Sequence, residues 1–290
     1  MADLGGEWLN YYSESIEEYF RTGTMAALNV LGLLIRFLNS NNIDVKKIGI
    51  AVIAFPGIVG QKHDVSLTNY RFREELLEQL IPFINEDLEC DILVKNDMNL
   101  AAVGQMSEYP FAESQNLYLL SGDIGLGSGL ILNRKLYEGD MKAAGEVGFA
   151  IVCNEETGRY ETLEERIGLT QLVKRYEKAI GRISNFEQLK NQVERREEEA
   201  LLLYESVLQD ISIVLSNVST LLDIRQFAVG GRLFELSPQM ISQLNVKINK
   251  MTPFGATIYK VDLEKMALTG AVELGIHELM KHMLESGGTV

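Results

Sequence analysis

Apolar residues in "TMAALNVLGLLIRFLNSNN" recur at Met25, Leu28, Leu31, Leu34 and Leu38, the spacing of three and four that predicts an amphipathic helix. "IGIAVIAFPGIVG" opens with an unbroken apolar run rich in branched side chains and is stopped by Pro56-Gly57, so it predicts a buried strand. "FREELLEQLIPFINEDL" returns to helical spacing, with Pro82 as a kink or break. "DILVKND" predicts a second strand that ends at Asn96-Asp97 and runs into the helical "MNLAAVGQM". The pattern changes after about Tyr109-Pro110. "NLYLLSGDIGLGSGLILNRKLYEGD" predicts two strands joined through a glycine-rich turn, a β-hairpin. A long helical tract over 183–223 follows, charged in "QVERREEEA" and striped with apolar residues in "LLLYESVLQDISIVLSNVSTLL". "RQFAVGG" predicts a strand ending in paired glycines, and "ALTGAVELGIHELMKHML" predicts a closing helix. Helix, strand, helix, strand, helix, hairpin, helices, strand, helix is the order of an α/β protein, with two lobes and a cleft where strand ends meet.

Composition narrows the function classes. The chain has 290 residues, and its 41 acidic against 27 basic residues leave a net charge of −14. Such a surface repels phosphate backbones, which makes this segment by itself a poor nucleic-acid binder and leaves a separate DNA-binding module open. Its two cysteines, Cys90 and Cys153, cannot build a disulfide framework or a thiolate metal cage, and they suit a reducing cytoplasm. "MADLGGEWLN" lacks the basic start and apolar core of a secretory signal. The apolar windows "ALNVLGLLIRFL" and "IGIAVIAFPGIVG", interrupted by Arg36 and by Pro56-Gly57, are too short to cross a bilayer.

Taken one at a time, the chemically suggestive stretches each have a bland alternative. Asn96 and Asp97 stand where a strand hands over to a helix, a usual place for ligands in α/β sheets. An amide beside a carboxylate can bind a vicinal diol, and the Asp could take a proton from a hydroxyl. Read locally, Asp97 is first of all a helix cap. "GDIGLGSGL" could cradle a phosphate, though a hairpin turn needs the same glycines. "FAVGGRLFE" could admit a nucleotide base at Gly230-Gly231, or simply turn the chain. "HELMKH" is not a zinc-protease motif: His277 and His282 are five apart and point about 140° apart on a helix, so two solvated histidines are expected. "ERREEE" reads as a solvated face. Asp64, Glu155 and Glu156 have no distinguishing spacing.

The order of these stretches is more specific than any one of them. "IGIAVIAFPGIVG", "VKNDMNLAAVGQ", "GDIGLGSGLILNRKLYEGDMKAAGEVGF" and "FAVGGRLFE" resemble, in sequence and relative position, the ROK family (repressor/ORF/kinase) of sugar kinases and sugar-responsive repressors. The likeness covers nearly the whole chain and is sharpest over "LILNRKLYEGDMKAAGEVG". It implies a two-lobed, actin-like and ribonuclease-H-like α/β fold. One lobe would span 1–108, completed by a returning helix over 270–290, and the other 109–269 with oligomerisation helices. It also implies a cytoplasmic dimer or tetramer that binds a hexose or its derivative between the lobes. By position, Asn96 and Asp97 match the family's sugar-contacting pair, the Asp being the base in kinases. Glu146 and Glu164 match two further sugar-binding carboxylates. Gly125, Gly127, Gly230 and Gly231 match its nucleotide loops.

Departures from the family pattern shift the functional expectation. The histidine that joins sugar to structural zinc is Phe149 here, whose ring neither ligates metal nor accepts a hydrogen bond. "CNEETGRYE" replaces the cysteine-rich zinc loop, so no metal is expected. "ADLGGEWL" resembles the family's second strand, beyond the Asp-x-Gly-Gly-Thr phosphate loop of its kinases. In the hairpin, Asp123-Ile124-Gly125 stands for Gly-Thr-Gly. A carboxylate there would oppose a triphosphate by on the order of 1–4 kcal/mol at contact range. Phosphoryl transfer depends on positioning and charge stabilisation. The expectation is therefore a sugar-sensing and oligomerisation unit of a ROK-type regulator without cofactor, whose DNA contacts belong to a preceding winged helix-turn-helix. The alternatives are a ROK sugar kinase using ATP-Mg with Asp97 as base, and a scaffold that has lost its ligand.

Overall fold

The computed structural model describes residues 1–13, 25–59, 81–82, 86, 88, 90–154 and 157–285. Most of the helix expected over 72–88 lies outside these residues, as do Asp64, Glu155 and Glu156. Helix α1 (Met25–Ser40) precedes strand β1 (Ile50–Phe55), which pairs in parallel with β2 (Asp91–Asn96), Ile50 opposite Asp91 and Phe55 opposite Asn96. The apolar run of β1 is only half-buried, apart from Phe55 and the exposed Ala54, where the sequence predicted a buried strand. The opening "ADLGGEWL" forms an isolated antiparallel bridge, Ala2 to Trp8, and no regular strand.

β2 leads directly into α2 (Asp97–Gln105). The expected hairpin is β3 (Leu117–Gly122) with β4 (Leu126–Leu132), extended by the two-residue β5 (Lys135–Leu136). A second hairpin, β6 (Ile151–Asn154) with β7 (Arg159–Thr162), leads into the short α3 (Leu163–Ile167) and α4 (Leu169–Ile180). The helical tract over 183–223 is two helices, α5 (Phe186–Glu194) and α6 (Glu198–Leu222). Arg196 breaks it by taking a left-handed conformation, φ 63°. Then come β8 (Gln226–Gly230), α7 (Met240–Met251), β9 (Thr257–Lys260) and α8 (Leu263–Glu285).

The larger sheet has the order β5-β4-β3-β8-β9, antiparallel across β3–β4 and parallel across β3–β8–β9. Strand alternation divides its side chains between two cores. Tyr118, Leu120, Leu130, Phe227 and Val229 face one core with α3 to α7, while Leu117, Leu119, Ile131 and Ala228 face another with α2 and α8. Helix α6 is long and apolar enough to cross a membrane by composition, but 56% of its apolar window is buried in the first core. It is a core helix.

Helix α8 lies across α2 and β1. Its crossing with α2 is made by glycine on both sides. A Cβ on Gly104 would lie 2.2 Å from the Met266 carbonyl oxygen, and one on Gly270 would lie 1.9 Å from that of Leu100. Backbone thus meets backbone, and this fixes the helix that begins at Asp97. His277 is exposed as expected. His282 differs from a merely solvated residue: its Nδ1 lies 3.0 Å from Asp91 Oδ2 at the start of β2.

Candidate functional site

The handover from β2 to α2 is built by Asn96. Its side chain caps the helix, Oδ1 accepting from the Asn99 N–H at 2.9 Å, and its amide donates to the Gly57 carbonyl at 3.0 Å. The cap expected of Asp97 is therefore supplied by its neighbour, and Asn96 also spends one amide donor on the loop after β1. Asp97 sits in the first turn, half-buried, with Oδ1 accepting from the Met98 N–H at 2.8 Å. Negative charge is favourable at such a helix start.

Glu146 arrives from the loop after β5. Glu138 anchors that loop to β2 through Lys95 at 2.9 Å and to Lys142 at 2.8 Å. Burial pushes the Glu138 carboxyl up, but hydrogen bonds and charge from Lys142 and Lys95 outweigh it and hold it below the usual range. Gly145, at φ 93°, lets the loop press on β4, where the Ser128 hydroxyl donates to the Gly145 carbonyl at 2.7 Å. The Glu138 to Lys142 spacing of four is visible in the sequence; the reach to Lys95 is not.

Glu164 is carried by α3, which a capping box of Thr162 and Glu165 starts. Its Oε2 accepts from the Leu126 N–H at 3.0 Å. Gly125 and Gly148 leave room for it: a Cβ on either would lie 3.1 or 3.0 Å from that oxygen. The structure thus gathers three of the expected carboxylates, Asp97, Glu146 and Glu164. Burial first, then the charges of Glu164 and Asp97, raise the Glu146 carboxyl above its ordinary range.

A raised carboxyl holds its proton longer in the folded chain than in the unfolded one, so folding stability falls as pH rises through that interval. Glu146→Gln is therefore expected to stabilise the fold at pH 7.5 by up to about 1 kcal/mol. It should have no such effect below the ordinary glutamate range. Urea unfolding at the two pH values checks this.

The glycines matched to nucleotide loops have packing roles. Gly127 faces Met98, Gly230 faces Leu263 and the Val261 carbonyl, and Gly231, at φ 92°, lies against Gly122. In the β3–β4 turn the chain's own oxygens take the amides a phosphate would seek. Asp123 N–H donates to the Gly125 carbonyl, Ile124 N–H to Asp123 Oδ1 at 3.1 Å, and Leu126 N–H to Glu164. The donor set does not suit zinc: Phe149 has no donor, Cys153 is exposed on β6, and Cys90 is buried against Leu38 and Leu88. No group of three potential ligands is placed to hold a metal among the described residues.

Two site-supporting residues escaped the sequence reading. Arg166, next but one to Glu164, is buried and donates from Nε to the buried Asp210 of α6 at 2.7 Å. Their separation of 44 residues leaves no local signal.

The family model described as ROK family matches residues 14–277. The xylose repressor of Staphylococcus xylosus is 28% identical over 142 residues, 47% of this chain and 36% of the repressor. The glucokinase of Halalkalibacterium halodurans is 28% identical over 97 residues, 31% of this chain and 29% of the kinase. The matched part spans about a third of the length of these curated relatives. Among solved structures, a ROK family transcriptional regulator, a homologue of the E. coli MLC protein, superposes with a TM-score of 0.76 at 14% identity. The match covers 97% of this chain and 76% of that one. At that identity the likeness shows the fold.

Proposed function

We propose that this chain, which belongs to the ROK family, works as the sugar-responsive unit of a transcriptional regulator and performs no phosphoryl transfer. One observation carries the reading. Asp97, Glu146 and Glu164 form an oxygen-rich cluster, while Glu164 and Asp123 themselves occupy the turn amides that would otherwise receive an anion. Ionised carboxylates accept hydrogen bonds from hydroxyls and repel phosphates. That chemistry favours a neutral polyol. A regulator needs only that sugar bind one conformation better than another. The similarity to a xylose repressor supports the same reading. Asn96 belongs to the site chiefly as the residue that positions Asp97. Self-association as a dimer or tetramer, a cytoplasmic setting, and DNA contact through a separate segment complete the proposal.

Asp97→Asn keeps an oxygen to accept from Met98 and removes the charge. It is expected to weaken sugar binding by roughly 10–100-fold. Isothermal titration of both proteins with a panel of pentoses and hexoses checks this, and unchanged affinity overturns the assignment of Asp97.

A sugar kinase is the second reading, favoured by the similarity to a glucokinase. In it Asp97 is the base and ATP-Mg the donor, bound near the β3–β4 turn and Gly230-Gly231. Sugar-dependent ADP release in a coupled assay would establish this reading and displace the first.

A further inference from the structure

Around Glu146 and Glu164 the chain exposes apolar surface that neither carboxylate explains. Val147 to Phe149 form a single 3-10 turn whose hydrogen bond runs from the Phe149 N–H to the Glu146 carbonyl at 3.2 Å. That bond ties the residue bearing the Phe149 ring directly to the backbone of Glu146, the residue that caps the turn. Between them Gly148 lies against Glu164. Phe149 is nonetheless 68% exposed, while Val147 of the same turn is buried in the core.

The hairpin that follows continues this surface. β6 alternates, with Val152 buried in the core and Ile151 and Cys153 facing out. Cys153 is opposite Tyr160 and Ile151 is opposite Thr162, which puts all four on one face. Ile151 is 64% and Tyr160 78% exposed. Thr162 is the N-cap of α3, two residues before Glu164, so this face leads into the helix that carries that carboxylate. Contiguous exposed apolar groups bordering polar ones mark a ligand surface.

We propose that Phe149 and the outward face of the β6–β7 hairpin form an apolar shelf beside the carboxylates, and that the ligand is a glycoside whose apolar substituent lies on it. The proposal rests on the sugar-binding reading above. Carboxylates engage the hydroxyls of one ring. The C–H face of a pyranose and an aryl or alkyl substituent are apolar and gain by leaving water over an aromatic ring. A free monosaccharide would leave the shelf bare.

The test is isothermal titration of the full chain with the methyl and phenyl β-glycosides of glucose, galactose and xylose. For the sugar that binds, the phenyl glycoside is expected to bind about tenfold tighter than the methyl one. Phe149→Ala should bring that ratio close to one, and Tyr160→Ala should narrow it. Equal affinity of the two glycosides overturns the shelf and leaves the sugar site standing. Failure of every glycoside to bind overturns both. Light scattering provides a separate check: if Phe149→Ala changes the oligomeric state, the face joins copies of the chain and the proposal falls.

Discussion

Asp210→Ala is expected to lower the folding free energy by about 3–5 kcal/mol, the usual loss when one partner of a buried ion pair is removed. Arg166 is 5% exposed, and its guanidinium receives its main charge compensation from Asp210 at 2.7 Å. Its other oxygen partners are weaker, Ser206 Oγ at 3.3 Å and Glu161 Oε2 at 3.7 Å. Removing Asp210 takes away the nearest anion from a buried cation. The double variant Arg166→Met, Asp210→Leu should recover most of the loss, since an apolar pair of similar volume carries no such penalty. Denaturant unfolding of the three proteins checks this. A single variant within 1 kcal/mol of the parent, a loss typical of surface changes, would show that the charge is compensated elsewhere. The same pair holds α3 and hence Glu164, so on the proposed sugar-binding reading the single variant should also lose affinity.

Gly270→Val is the second large effect, a destabilisation of about 3 kcal/mol. A Cβ there would sit 1.9 Å from the Leu100 carbonyl oxygen and 2.9 Å from the Gly104 nitrogen. These are backbone atoms of α2, which cannot rotate aside as a side chain can. The helices must separate, and α2 carries Asp97 at its first turn. The expected result is a lower denaturation midpoint, together with weaker sugar binding if the proposed function holds. Gly32→Val, at a helical glycine with nothing within 4 Å of its would-be Cβ, serves as the control. A Gly270 variant as stable as that control would show that the crossing has slack.

What could be read from the sequence follows from range. β1, β2, the β3–β4 hairpin and β8 carry long apolar runs or glycine turns, and each appears where those local signals place it. β9 is four residues with little pattern, and the β6–β7 hairpin lies in a polar stretch, so neither stood out. The break at Arg196 is a single left-handed residue inside a charged run and has no glycine to announce it. Asp97, Glu146 and Glu164 were found by the order of motifs, because no spacing links residues from a strand end, a loop and a short helix. Lys95 with Glu138, Arg166 with Asp210, and Gly104 with Gly270 are tertiary matches. Each partner is ordinary in its own neighbourhood.

The contrast between the two thiols offers a practical handle. Cys90 is buried and Cys153 is exposed, and burial also raises the Cys90 thiol, which leaves it less reactive. A maleimide dye added to the unmodified protein should therefore attach at one position, on the outward face of β6 across from Tyr160. Occupancy of the neighbouring surface could then be followed as a change in emission, without introducing a reporter residue.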